Sequence, residues 1–91
     1  MARLKLIKSV AREAGITQRQ ADKALTAFIN TIIDEVSAGN SVIVSDFGIF
    51  SAKHRPARTH FDLSKGENGI VPARTVPSFK PGKAFKVKVN K

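Results

Sequence analysis

The first forty residues carry apolar side chains at the spacing of two consecutive amphipathic helices. Residues 4–14 have apolar positions three or four apart, and Gly15 supplies a helix stop directly after them. Thr17 and Gln20 then have the spacing of a capping box, and the apolar stripe that follows ends before Gly39. The pattern predicts a helical hairpin made of a short first helix and a longer second one.

The spacing of apolar residues changes to that of strands in the middle of the chain. Residues 41–44 and 49–54 are short strand-like runs on either side of the turn residues 46–48, which predicts a β-hairpin. Over residues 55–73 the apolar periodicity disappears while proline, glycine and charged residues accumulate. Such a segment cannot pack a core of its own, so we interpret it as a protruding two-stranded arm.

The C-terminal segment returns to apolar spacing. Val76 and Phe79 fit a returning strand, and Pro81-Gly82 can open a final helix to about Val89, because proline is tolerated in a first helical turn. The chain is therefore expected to form one α+β domain over residues 1–91. In chain order, its parts are a helical hairpin over residues 1–40, a three-stranded antiparallel sheet over 41–80 with an arm at about 53–75, and a C-terminal helix over 81–91.

The whole chain of 91 residues has a net formal charge of +9. Most of this positive charge lies in its second half. Residues 1–50 carry six lysines and arginines against five acids, whereas residues 51–91 carry ten against two. Clustered cations attract phosphates and release their counterions, so the asymmetry indicates a nearly neutral scaffold joined to a polyanion-binding half. The alternative is a basic protein whose charges serve solubility alone.

The sequence lacks the residue groupings that catalysis, metal binding or membrane insertion require. There is no cysteine, and His54 and His60 have no third ligand at a suitable spacing for a metal site. There is no pairing of nucleophile and base, no glycine-rich phosphate loop, and no apolar run near the roughly 20 residues that cross a bilayer. We therefore expect a non-enzymatic, cytoplasmic protein without a cofactor, a small-molecule substrate or a membrane partner.

Two groups of cations are the candidate binding residues. Lys53, Arg55 and Arg58 alternate with smaller residues, as they would along one side of a basic strand. Arg74 can join them from the returning strand. A second group surrounds the start of the final helix, where free backbone N–H groups can add an anion site and Gly82 permits the close approach of a phosphate. The remaining candidates are Lys80, Lys83 and Lys86 in this second group, and His60 and Lys65 in the arm.

The phenylalanines bear on the oligomeric state. A domain this small buries little surface, and Phe47, Phe50 and Phe79 fall near the turns of the sheet, where one chain has difficulty covering them. Each ring can serve the core of its own chain. The alternative is that these rings, together with Phe28 of the second helix, meet the same residues of a second copy in a homodimer.

Several motifs resemble those of the bacterial histone-like HU proteins and their relative integration host factor, and the similarity extends over nearly the whole chain. Besides the two-helix start, the motifs are Ser37-Ala38-Gly39-Asn40, Asp46-Phe47-Gly48-Ile49-Phe50, His54-Arg55-Pro56-Ala57-Arg58-Thr59 and Val76-Pro77-Ser78-Phe79-Lys80-Pro81-Gly82-Lys83-Ala84. The resemblance implies an intertwined homodimer whose sheets form a saddle and whose two β-arms reach around double-stranded DNA in the minor groove. It also implies that Arg3 lies on the DNA side.

The arm tip departs from the family's pattern. Family members commonly have Gly-Arg-Asn-Pro-x-Thr-Gly there, whereas this chain has His60-Phe61-Asp62-Leu63-Ser64-Lys65-Gly66. Leu63 takes the position of the proline that wedges between base pairs, and Phe61 that of the arginine. Both are candidate wedges, since minor-groove proteins insert apolar side chains between base steps. The alternative is that one of them packs across the arm and the other is exposed.

The sequence thus predicts a nucleoid-associated, homodimeric architectural protein that binds double-stranded DNA largely without sequence preference, compacts it and bends it. Besides a membrane-surface or protein-scaffold role, for which no amphipathic helix with a strongly basic face and bulky apolar anchors is present, two alternatives remain open. One is a site-preferring DNA-bending protein similar to integration host factor. The other is a basic RNA-binding protein, although no aromatic stacking strand or other familiar RNA module is present.

Overall fold

A computed structural model describes residues 1–90 of the chain, and Lys91, the last residue of the predicted C-terminal helix, lies outside the described residues. The chain divides into two units, Met1–Asp34 and Glu35–Lys91. The predicted mixture of helices and antiparallel strands is confirmed. In chain order the elements are α1 (Arg3–Ala14), α2 (Gln18–Ser37), β1 (Val42–Val44), β2 (Gly48–Arg55), β3 (Arg58–Asp62), β4 (Glu67–Val71), β5 (Arg74–Pro81) and α3 (Lys83–Val89).

The break between the first two helices forms as the sequence predicts. Gly15 follows α1 with a φ of 68°, and its backbone N–H donates to the carbonyl oxygen of Ala11. This left-handed conformation suits glycine, which has no Cβ to clash. Thr17 and Gln20 then form a reciprocal capping box, with N–H to side-chain oxygen distances of 3.0 and 3.1 Å. The two motifs satisfy backbone groups that the helix ends would otherwise leave unpaired.

The hydrophobic core of the N-terminal unit is small. Its buried residues are Ile7, Ala11 and Ala21, and Val10 and Leu25 pack against them while partly exposed. So few buried residues contribute little hydrophobic stabilisation, because this term grows with the apolar area removed from water.

The central sheet is antiparallel, with the strand order β1-β2-β5. The predicted hairpin between β1 and β2 is closed by a turn in which the N–H of Phe47 donates to the carbonyl oxygen of Val44 over 3.0 Å. Asp46 occupies this turn with a positive φ of 64°. Pro77 lies within β5, which is an edge strand, the place in a sheet where proline is tolerated.

The arm is a separate two-stranded sheet made of β3 and β4. Pro56-Ala57 and Pro72-Ala73 interrupt the two strands at facing positions, between the Arg55–Arg74 pair and the Arg58–Val71 pair. Proline has no N–H to donate to a ladder, so a proline on each strand ends the pairing there. The predicted arm is present, but the continuous basic strand expected from Lys53 through Arg58 is broken after Arg55.

The final helix begins later than the sequence predicts. Pro81 belongs to β5, where it pairs with Gly48, and Gly82 is the N-cap of α3. The N–H of Gly82 donates to the carbonyl oxygen of Phe47 over 2.8 Å. This bond anchors the chain to the β1–β2 turn for one more residue, so the helix begins at Lys83 rather than in the Pro81-Gly82 segment.

Four phenylalanine rings form a cluster in the C-terminal unit. Phe47 lies 6.1 Å from Phe50, 5.1 Å from Phe79 and 5.4 Å from Phe85, measured between ring centroids. A Cβ built on Gly48 would lie 2.5 Å from the carbonyl oxygen of Lys80 and 2.6 Å from the Phe79 ring. Gly48 therefore permits the close approach of β5 on which the cluster depends. Phe85 of α3 is a member that the sequence reasoning missed.

Candidate nucleic-acid interface

Four of the predicted cations share one face of the central sheet. Lys53 and Arg55 are two residues apart on β2, and successive side chains of a strand point to opposite faces. Arg74 is opposite Arg55, and Lys80 is opposite Ile49, so both lie on this same face. The sheet therefore presents a cationic face, defined by Lys53, Arg55, Arg74 and Lys80. Phe50 and Phe79 pair with each other on the reverse face.

The cationic face lacks compensating negative charge within its two longer strands. Neither β2 nor β5 contains an aspartate or a glutamate. Arg55 and Arg74 are directly opposite each other, and Lys53 is opposite Val76. Like charges held opposite each other repel, and a polyanion on this face would remove that repulsion.

A cavity of about 440 Å³ opens at the base of the arm, where the two sheets separate. Arg55, Arg58 and Arg74 all line it. The three arginines therefore meet where the prolines interrupt the strands, although Arg58 belongs to a different sheet from the other two. The lining also contains apolar residues that the sequence reasoning did not identify, namely Val71 and Val76, together with Pro56 and Pro72.

His60 packs across the arm. It is opposite Gly69, and a Cβ built on Gly69 would lie 2.9 Å from Cε1 of the His60 ring. The imidazole therefore occupies the space that a side chain on the neighbouring strand would need. Gly69 was not singled out in the sequence, because its role appears only once the register pairs it with a ring.

The two candidate wedges occupy different parts of the arm. Leu63 is in the turn between β3 and β4, and its side chain is 87% exposed. Gly66 closes this turn with a φ of 66°, and Lys65 is exposed beside it. Phe61 instead lies on the flank of β3. The side chain of Asp62, between the two wedges, is outside the described residues.

The second group of cations is divided between strand β5 and helix α3. Lys80 belongs to the cationic face, whereas Lys83 and Lys86 are exposed on α3. Lys86 also borders an apolar hollow that Phe79 and Phe85 line. The N–H of Gly82 is bonded to the carbonyl oxygen of Phe47, so it is not one of the free N–H groups of the predicted anion site, which stays a prediction. A Cβ on Gly82 would lie 3.3 Å from the Phe47 carbonyl oxygen, so backbone packing explains the glycine.

Arg3 of α1 makes exposed polar contacts with α2. Its Nη2 atom donates to Oδ1 of Asp22 over 2.9 Å and to Oγ1 of Thr26 over 2.7 Å. Both partners belong to α2, and all three groups are solvent-exposed. Arg3 therefore has a structural partner that the sequence reasoning did not anticipate, and its DNA contact stays a prediction.

Within residues 1–90, no helix is long and apolar enough to cross a membrane. Among the same described residues, no group of three or more histidine, cysteine, aspartate or glutamate side chains could hold a metal ion.

The model of the bacterial DNA-binding protein family matches residues 1–90. The DNA-binding protein HU of Nostoc sp. is 42% identical over 84 residues, which cover 92% of this chain and 89% of the relative. The HU chain in an Anabaena HU–DNA cocrystal structure is 40% identical, with a TM-score of 0.90 and coverage of 98% of this chain and 97% of that one. HU from Thermotoga maritima is 28% identical, with a TM-score of 0.68 and coverage of 98% of both chains.

Proposed function

Because this chain belongs to the bacterial DNA-binding protein family, with HU proteins among its relatives, we propose that it is a histone-like architectural protein of the nucleoid. It binds double-stranded DNA largely without sequence preference, and it compacts and bends that DNA. It has no catalytic role. The observation that carries the proposal is the cationic face, where Arg55 and Arg74 lie opposite each other in strands that contain no acid.

The cationic face and the arm-base cavity bind different parts of the DNA. Phosphates contact the cationic face, whose charges fix the position of the duplex without reading its bases. The arm-base cavity, with Arg58 added to Arg55 and Arg74, binds where the duplex meets the arm. Phosphate contacts carry no sequence information, so this arrangement supports binding to duplexes of any sequence.

The arm tip supplies the bend. Leu63 extends from the turn with most of its surface exposed, and an apolar side chain there can insert between two base steps. Insertion partly unstacks the step at a cost of a few kcal/mol, which the added contacts of a bent duplex offset.

The protein acts as a homodimer. Within the N-terminal unit, Phe28 and Ile33 of α2 are 44% and 54% exposed, next to a core of only three buried hydrophobic residues. In the C-terminal unit, Phe47, Phe79 and Phe85 each leave more than a third of their surface uncovered. Interfaces of obligate homodimers resemble a protein core divided in two, and a second copy would cover these rings.

The salt dependence of binding to a random-sequence DNA duplex tests the proposed function. If each protomer of the dimer neutralises about four phosphates, the slope of log affinity against log salt is about −7. Competition with a duplex of defined sequence and with an RNA duplex of equal length accompanies the titration. A slope near zero, or a higher affinity for RNA than for DNA, would contradict the proposal.

A further inference from the structure

The end of the arm does not carry the positive charge of its base. Residues 59–73 contain one lysine and the two acids Asp62 and Glu67, which give a net formal charge of −1. The arginines that line the arm-base cavity lie just outside this segment. Attraction to phosphates is therefore concentrated at the base of the arm, whereas the outer part has Lys65 as its single lysine or arginine and gains little from this attraction.

The outer arm has two chemically different faces. Phe61 is opposite Asn68, and Ile70 is opposite Thr59, so all four side chains share one face of the β3–β4 ribbon. Phe61 and Ile70 are diagonal neighbours on that face, at the spacing of about 7–8 Å that lets long side chains interact. The reverse face carries Arg58 and His60, with the imidazole lying over Gly69.

The apolar pair is open to solvent. Phe61 is 56% exposed and Ile70 is 73% exposed. A two-stranded ribbon has no second layer of its own to cover such side chains, and neighbouring exposed apolar groups commonly mark a binding surface. The arm-base cavity is continuous with this ribbon through Arg58 and Val71 at its first register position. A duplex held at the cavity is therefore the nearest available occupant.

We propose that the apolar pair, Phe61 and Ile70, packs against the deoxyribose edges of a DNA groove and makes the arm select DNA over RNA. This inference rests on the proposed function. The role of Phe61 and Ile70, which lie in the strands of the arm, is separate from that of Leu63 at the tip. Contacts with the sugars do not require the base pairs to unstack.

The chemistry of the sugar explains the selectivity. The groove-facing edge of a deoxyribose presents C–H groups, which an apolar side chain covers without breaking hydrogen bonds. RNA places a 2′-hydroxyl on each sugar, and this group is what lets a protein distinguish RNA from DNA at a given site. Covering the hydroxyl with Phe61 or Ile70 would remove its water without supplying a partner, which is unfavourable.

The test compares the wild-type protein with the double variant Phe61→Ser/Ile70→Thr on three duplexes of one sequence. The duplexes are DNA, RNA, and RNA with 2′-fluoro groups in place of the 2′-hydroxyls, so the last two differ in the sugar substituent while both keep the A-form. We expect the wild type to prefer the 2′-fluoro duplex to RNA, and the double variant to bind the two equally. The double variant also loses about tenfold in DNA affinity, with an unchanged salt slope because no cation is removed.

Asn68→Ser is the matched control, because it alters the polar residue opposite Phe61 and leaves the apolar pair in place. It retains the wild-type order of affinities. A wild type that binds no DNA would defeat the proposed function itself. Another outcome overturns this inference and leaves the proposed function intact. In that outcome the wild type binds DNA with a steep salt slope, and the double variant has the same preference among the three duplexes as the wild type. The inference is also overturned if the double variant binds short duplexes with unchanged affinity but binds long DNA less densely than the wild type does. In that case the apolar pair would contact a second copy of the protein rather than the DNA.

Discussion

Arg55 and Arg74 lie directly opposite each other at the end of the β2–β5 ladder, where the two strands separate toward the arm. Like charges at directly opposite positions of an antiparallel pair destabilise the sheet by up to about 1 kcal/mol. Functional sites often retain arrangements that lower stability. The proposed contact with DNA therefore explains the pair better than the stability of the fold does.

Arg74→Glu should stabilise the fold and weaken DNA binding at the same time. It converts a repulsive pair into an attractive one, so the free energy of unfolding rises by about 0.2–1 kcal/mol in urea denaturation. The salt slope of DNA binding falls by about 1 for each phosphate that the variant no longer neutralises. Lys80→Glu is the control, because Lys80 lies on the same face opposite the uncharged Ile49, so its replacement weakens binding without creating an attractive pair. A less stable Arg74→Glu variant would contradict this explanation.

Gly48→Ala should destabilise the protein strongly. The added methyl group would meet the backbone of Lys80 and the ring of Phe79 at distances that no contact tolerates, so β5 and the phenylalanine cluster must shift. Overpacking of this kind costs about 1–3 kcal/mol, measurable by chemical denaturation. Gly69→Ala is the matched control, since the atoms nearest to its methyl group belong to the His60 side chain, which can rotate away, and not to the backbone. Equal losses in the two variants would contradict the backbone clash.

The ends of the first two helices could be predicted from the sequence, because single residues there act on the backbone close to them. Gly15 ends α1, and Thr17 with Gln20 begins α2, because these signals act within a few residues of the chain. The start of α3 was not predictable in the same way. The bond from the Gly82 N–H to Phe47 joins positions 35 residues apart in the sequence, so no local pattern reveals it.

The candidate site also contains some residues that could be predicted from the sequence and others that could not. The sequence identified the cations of the cationic face, since their concentration is visible in the composition. It did not identify the apolar pair, because Phe61 and Ile70 share a face only through the register of β3 with β4. Strand register depends on pairing and turn geometry, and a shift of one residue would send Ile70 to the opposite face.

Thr17→Ala should destabilise the N-terminal helices. The substitution removes the oxygen that accepts from the Gln20 N–H, and loss of an N-cap side chain costs about 1 kcal/mol. Denaturation followed by helical circular dichroism measures the effect. Thr17→Ser keeps a hydroxyl at the N-cap and serves as the control. If serine and alanine lowered stability equally, the capping bond would not be the cause.

Phe28→Ser distinguishes a monomer from a dimer. In a monomer this half-exposed ring contributes little, and surface substitutions usually change stability by no more than about 0.5 kcal/mol. In the proposed homodimer the ring is buried, so the variant should lower the thermal midpoint markedly. The wild-type midpoint should also rise with protein concentration, because association stabilises the folded state by mass action. A midpoint independent of concentration, with a Phe28→Ser variant as stable as the wild type, would contradict the dimer.

Leu63→Ala should reduce DNA bending while leaving most of the binding affinity intact. Alanine is too short to hold a base step open, whereas the cations that bind phosphates remain in place. Fluorescence transfer between dyes at the two ends of a short duplex measures the bend. Lys65→Gln, in the same turn, is the control, and it should lower the salt slope by about 1 at most without changing the bend. Because Phe61 lies on the flank of β3, the Phe61→Ser/Ile70→Thr variant should bend the DNA that it binds to the wild-type extent. A bend unchanged by Leu63→Ala would show that the arm tip does not act as a wedge.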